Sequence, residues 1–180
     1  TAIEAPHIIY NERLQYEDLV EALGGTINGN GNLYTPTGIA NLKINKTSGT
    51  TFNIGSNITN DKNNPHTTTD ISISNVSFRY EFQDGIGGWT ITALTSNIVP
   101  NFYDGGSWVL VAVPAGEFTV QRIYFSNHTN ETHIQYGQAT YATLNDALLG
   151  ANTESFASNS AITAESLLRT NLIVEEGTID

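Results

Sequence analysis

The chain predicts a mainly β protein: an antiparallel β-sandwich or jelly-roll-like domain, with a short N-terminal helix and one short helix after the main strands. Three observations carry this. Residues Phe118, Val120, Arg122 and Tyr124 alternate with Thr119, Gln121, Ile123 and Phe125, and His133, Gln135 and Gly137 repeat the period, as strands do when one face packs and the other meets water. The segments between apolar runs (SGT, QDGIGG, NFYDGG, VPAG) are made of residues that favour tight turns. Helical periodicity is almost absent.

The expected strands begin at Leu42 and run through LKIN, TFNI, DISISNV, SFRYEFQ, WTITALT, WVLVAV and the two alternating segments just named, ending in Leu167–Glu175. The loop from Gly55 to Thr69 is too polar to pack and is expected on the surface. Helical signals occur twice. In YEDLVEALGG, Tyr16 to Gly25, Leu19, Val20 and Leu23 share one face, acids occupy the first turn and a Gly pair supplies the stop. So short a helix is unstable alone, which makes those three residues candidates for oligomerisation. The second helix, 143–149, has Thr143 as N-cap, Asp146 in an acidic capping-box variant, Gly150 as the terminating residue, and Leu144, Ala147 and Leu148 as its expected buried side. The segment from Ala151 to Glu165 reads as irregular. Two regions result: 1–38, a helix with a turn-rich linker containing NGNGN, and 39–180, the β-rich domain.

Composition bounds the function. The chain has 180 residues, 39% of them hydrophobic and only 14% charged, which describes a folded domain with a surface of amides and hydroxyls. A net charge of −11 with seven Lys and Arg argues against a nucleic-acid partner. There is no cysteine, so no disulfide framework or thiolate site exists. No signal peptide opens the sequence, and no run approaches the length of a membrane span. Methionine is absent even at position 1, and the end LIVEEGTID falls in strand and turn; we therefore expect a trimmed piece whose natural chain continues past Asp180.

Candidate sites are few. His128 and His133 flank a hairpin loop with Glu131 between them, but a useful metal set needs three or four convergent ligands, and a polar loop tip outweighs that reading. His66, after Pro65, fits a turn-stabilising role better than a ligand role, and His7 stands alone. Glu81, Asp84, Asp104 and Glu117 are the carboxylates that a glycoside hydrolase would have to pair, yet they are scattered over strands and turns. GxSxG, HExxH and phosphate-loop patterns are absent. No catalytic residue, metal or cofactor is assigned. Trp89, Tyr103 and Trp108, with Phe102, lie beside Gly-rich turns and could stack on a sugar or receptor; the competing role for each is capping the core. Sequons at Asn45, Asn57, Asn75, Asn127 and Asn130 are those expected of a chain rich in Asn and Thr.

The succession NPH, FRYEFQDG, FYDGG, FTVQRIYF, IQYGQATYATLNDAL and LLRTNLIVEEGTID resembles bacteriophage virion proteins of the tail-fibre or appendage type. It covers residues from about 64 to 180 and is most specific from Gln121-Arg122 to Ala147. The resemblance implies a virion protein assembled in the host cytoplasm, a homotrimer or other homo-oligomer that contacts other virion proteins and a host receptor or surface glycan. It implies no enzymatic residue set. A secreted carbohydrate-binding module with a Trp platform is the rival reading.

Overall fold

The computed structural model describes residues 26–27, 31–38, 41–52, 63, 66–126 and 129–178. The strands are β1 (Thr26–Ile27), β2 (Tyr34–Pro36), β3 (Ile44–Lys46), β4 (Gly49–Phe52), β5 (Thr67–Asp70), β6 (Phe78–Gln83), β7 (Trp89–Ile91), β8 (Phe102–Asp104), β9 (Leu110–Ala112), β10 (Phe118–Ser126), β11 (Glu131–Gln135), β12 (Thr140–Tyr141) and β13 (Leu167–Glu175). The helices are α1 (Leu144–Thr153) and α2 (Ser160–Glu165). The fold is mainly β.

A six-stranded sheet is the body of the domain, and β10 is its axis. Along one edge β10 pairs with β13 from Phe118↔Glu175 to Phe125↔Leu167. Its other edge takes β11 and then β12, with Arg122↔Gln135 and Thr119↔Thr140 in register. Between those two pairings the chain swings out through Tyr136 and Gly137, where Tyr136 N–H donates to the Glu81 carbonyl. Beyond β11 come β6 and β7. The β6–β11 pairing is parallel, so the sheet is mixed and the expectation of an antiparallel one is corrected. Two chain segments far apart in sequence meet there, and no hairpin dictates their direction.

The expectation that β10 wets one face is also corrected: every residue from Thr119 to Ser126 is buried. On the first face Ile123, Ile134, Phe78, Tyr80 and Val174 join Ile44, Val76 and Ile98, contributed by the hairpin and loops that cover it. Tyr80 and Tyr136 stack at 4.2 Å, with Phe78 edge-on to Tyr80 at 5.4 Å. Buried polar groups on this side pair with one another, except Thr119 Oγ1, which meets no partner among the described residues. Tyr80 hydroxyl donates to Gln121 Oε1 at 2.9 Å and accepts from Val99 N–H at 2.9 Å, while Gln121 Nε2 donates to Val99 carbonyl at 2.8 Å. Beside them the buried Lys46 ammonium donates to Asn32 Oδ1 at 2.8 Å and Ile71 carbonyl at 3.1 Å, and lies 4.6 Å from the Phe125 ring centre. Asn32 Nδ2 in turn donates to Asp70 Oδ2 at 2.7 Å. Burial pulls the Lys46 pKa down, and Asp70 opposes the shift.

Helices α1 and α2 cover the second face. Thr143 caps α1 as expected, its hydroxyl accepting from Asp146 N–H at 3.2 Å. The helix does not stop at Gly150 but runs to Thr153, because Gly150 is an internal contact: a Cβ there would lie 2.2 Å from the Tyr141 ring. Its buried residues are Ala147 and Gly150, whereas Leu144 and Leu148, expected inside, are about half exposed. The stretch read as irregular contains the end of α1 and all of α2. Likewise Thr67–Thr69, assigned to a surface loop, form β5 against β4, where Thr51 and Asn32 hold the buried Asp70. Before residue 39, β1 pairs with β4 and β2 with β3.

Two predictions follow from the packing. A Cβ at Gly137 would sit 2.9 Å from Val120 carbonyl and 3.0 Å from Val120 N, so backbone must move to admit it. Gly137→Ala is expected to destabilise by about 1–3 kcal/mol in urea unfolding, where a generic glycine-to-alanine change at a relaxed site would stabilise. The second concerns alkali. Burial pushes the Tyr136 phenol up from 10.0 to about 12 and raises that of Tyr80 as well. The folded state therefore retains protons that the unfolded chain releases, so this contribution is whole below the unfolded value and lost as pH rises through about 12. Tyr136 alone accounts for roughly 2–3 kcal/mol. Lys46 works in the opposite sense only up to its ordinary value of 10.5. Urea midpoints should fall steeply between about pH 10.5 and 12, together with tyrosinate absorbance; a flat profile there would contradict the buried phenols.

Candidate functional site

Two adjoining turns, the β6–β7 turn and the β8–β9 hairpin, carry the exposed aromatic and aliphatic groups of one end of the sheet. Each is tied by a carboxylate. Asp84 Oδ1 accepts from Ile86 N–H at 3.0 Å and Gly88 N–H at 2.7 Å, which closes the first turn on itself. Asp104, 2% exposed, accepts from Gln83 N–H at 2.9 Å and Gln83 Nε2 at 3.3 Å through Oδ2, and from Gly106 N–H at 2.8 Å through Oδ1. Its own N–H donates to Gly137 carbonyl at 2.8 Å. Asp104 thus joins the hairpin to β6 and to the excursion between β11 and β12. Gly85 and Gly106 adopt φ of 73° and 77°, where a side chain is strained. A Cβ at Gly85 would lie 3.0 Å from Trp108 Cδ1, so the indole rests on the neighbouring turn.

On this frame Ile86, Trp108 and Val109 are 76%, 62% and 71% exposed. Of the rings expected to contact a ligand, Trp108 is the most exposed. Trp89 is half-buried at the start of β7, opposite Gln83, and Tyr103 is half-buried in β8 opposite Val111. Phe102 is exposed at the far end of β8. Leu19, Val20 and Leu23, and with them His7 and His128, lie outside the described residues. His66 meets the Phe52 ring edge-on at 5.7 Å.

The second constellation lies under the helices. The registers align Asn171 of β13, Arg122 of β10, Gln135 of β11 and Glu81 of β6 as successive cross-strand neighbours on one face. Arg122 forms an ion pair with Glu154 at 2.5 Å and carries the Phe156 ring 3.5 Å from its guanidinium carbon. Tyr141 hydroxyl donates to the same Glu154; burial first, and Glu154 second, push its phenol up to about 12. Glu81, fully buried, accepts from Asn159 Nδ2 at 2.9 Å and lies 2.7 Å from His133 Nδ1. Asn159 Oδ1 also caps α2 by accepting from Ala161 N–H at 3.1 Å. His133 Nε2 points to the half-exposed Glu131 at 3.6 Å. Asn171 Nδ2 donates to Ala151 carbonyl at 3.1 Å.

Of the four carboxylates from which a hydrolase would draw its pair, Asp84 and Asp104 bind turn amides and Glu81 binds His133 and Asn159. Glu117 belongs to a turn whose backbone bonds Pro114 and Glu176. Among the described residues no group of three His, Asp or Glu is placed to hold a metal ion. Sequence reasoning missed Glu154, Asn159 and Asn171. The available signal was the run of polar residues, Gln121, Arg122 and Gln135, in strands otherwise too apolar to face water. Among the described residues no helix is long and apolar enough to cross a membrane. No family model matches the chain, nor does any curated protein or solved structure.

Glu154→Ala leaves the Arg122 charge buried without its counter-ion and is expected to cost about 3–5 kcal/mol. In Arg122→Met/Glu154→Leu most of that loss should be regained, as read by thermal unfolding. Gln135 is fully buried and neither atom of its amide meets a partner among the described residues. Gln135→Met should therefore stabilise by about 1 kcal/mol; a loss of stability would show that the amide has a partner in solution.

Proposed function

We propose that this chain is a structural virion protein, a bacteriophage tail-fibre or appendage component, that works as a homo-oligomer through surface contact and not through catalysis. The reading takes the β2–β3 hairpin packed over the six-stranded sheet as a sandwich-like module that is assembled in the host cytoplasm. Other virion proteins bind it, and it presents one end to a host receptor or surface glycan.

The observation that carries it is the apolar tip of Ile86, Trp108 and Val109, held by two carboxylates that accept hydrogen bonds from turn amides. Exposed apolar groups on a rigid frame lose little conformational freedom on binding, as a contact surface requires. The polar groups with chemical potential point the same way: Glu81 is enclosed at 0% and His133 at 6% exposure, with their polar atoms engaged by Asn159 and the two Glu residues. The exposed Trp108 ring also favours a second reading, a secreted carbohydrate-binding module that stacks a sugar on the indole.

Trp108→Ala tests the tip. As a surface change it should leave stability within about 0.5 kcal/mol while abolishing binding to host cells or to arrayed glycans. Undiminished binding by the folded variant would remove the tip from the account. Antibody against the chain should decorate an appendage of purified phage particles; labelling of secreted material alone would favour the carbohydrate-binding module.

A further inference from the structure

The chain has no cysteine, so covalent reinforcement by a disulfide is closed to it. Beneath the β2–β3 hairpin it holds the components of a different bond. Lys46 ends β3, Asn32 precedes β2, Thr51 lies in β4 and Asp70 ends β5; they are 2%, 0%, 0% and 6% exposed. A lysine so deeply enclosed is ordinarily paired with a carboxylate. Here a carboxamide stands between the two. Lys46 Nζ donates to Asn32 Oδ1 at 2.8 Å, and Asn32 Nδ2 donates to Asp70 Oδ2 at 2.7 Å. The same Asp70 oxygen accepts from the Thr51 hydroxyl.

Each part is held in place. Ile71 carbonyl accepts from Nζ at 3.1 Å, and the Phe125 ring of β10 lies 4.6 Å from it. Asn32 has a φ of 50°, a left-handed conformation that Asn tolerates, and Arg169 Nε donates to its carbonyl at 3.1 Å. Gly49 lies against the carboxamide, where a Cβ would come 2.7 Å from Asn32 Nδ2. Asn32 Cγ is bonded to Oδ1 and so lies no more than about 4 Å from Nζ. Reacting atoms held about 3–3.5 Å apart are poised to form a bond.

We propose that Lys46 Nζ and Asn32 Cγ join in an intramolecular isopeptide bond, with Asp70 as proton carrier and ammonia as the leaving group. The Nζ lone pair attacks Cγ, and the carbonyl π electrons move to Oδ1. As they return, the Cγ–Nδ2 bond breaks and its electron pair departs with Nδ2. One proton passes from Nζ to Nδ2. Asp70 as the acid gives Nδ2 its third proton, and as the carboxylate takes up the one that Nζ releases. The attack needs a neutral amine, and burial pulls the Lys46 pKa down toward that form. An enclosed ammonium and carboxylate reach amine and acid by exchanging a single proton, which apolar surroundings favour. The step runs once per chain and consumes no other reactant. Its product ties the base of the hairpin over the core and restricts the unfolded chain as a disulfide would.

The intact mass of the purified full chain, measured after unfolding, tests this. It should fall below the sequence mass by one ammonia. Trypsin should leave Lys46 uncut and release residues 14–43 joined to residues 44–62 as a branched peptide. Asp70→Asn, checked for folding by circular dichroism, should keep the full mass and be cut at Lys46. A folded native chain with the full sequence mass would overturn the proposal. So would a loss of ammonia with Lys46 still cut, which would place the loss in a succinimide such as one at Asn30-Gly31. Undiminished bond formation in Asp70→Asn would overturn the role given to Asp70.

Discussion

Strand β10 has both faces and both edges occupied, and most of the domain is arranged to make that possible. A strand with Gln121, Ile123 and Phe125 on one side and Val120, Arg122 and Tyr124 on the other cannot be buried by one kind of cover. Its Ile123 face takes the aromatic and aliphatic layer, where Tyr80, Gln121 and Val99 complete one another's hydrogen bonds. Its Arg122 face takes Glu154, Phe156 and Tyr141, contributed by the chain from β12 to the turn after α1. Helix α2 is brought to the same face by Asn159, which caps the helix with its carbonyl oxygen and binds Glu81 with its nitrogen. The two layers do different work. Apolar burial supplies most of the stability, whereas a buried ionic row contributes little net energy and specifies where its covering segment must sit.

This division bears on function through what it leaves free. The residue types that most often do chemistry are engaged in architecture: Asp84 and Asp104 in turns, Glu81 and His133 between sheet and helix, Lys46 and Asp70 beneath the β2–β3 hairpin. Left at the surface are an apolar tip and a leucine stripe on α1. On the proposed reading these surfaces are where other macromolecules make contact.

Strand content was legible in the sequence because turn chemistry and period-two alternation are local. Leu167–Glu175 emerges with the bounds its apolar run suggests, and Thr143 caps its helix through its own hydroxyl. The mixed sheet was not legible, since the parallel meeting of β6 and β11 depends on contacts fifty residues apart in sequence, such as Glu81 with His133. Alternation in β10 gave the two faces correctly and their environments wrongly: Arg122 and Gln135 look solvent-facing until Glu154, Phe156 and Asn159 are brought over them. Gly150 misled for a related reason. Glycine suggests a helix stop, but here the missing side chain makes room for Tyr141. Trp108 and Trp89 could not be told apart from sequence, because both sit beside Gly-rich turns and only the abutment of those turns leaves one indole exposed.

Native-state hydrogen exchange resolved by residue tests this two-layer account most directly. Amides of β10 and β11 should exchange only through global unfolding, while those of α1 and α2 exchange through a smaller opening that hydrates the ionic row and spares the aromatic layer. Equal protection of helices and sheet, or exchange of β10 ahead of the helices, would contradict it.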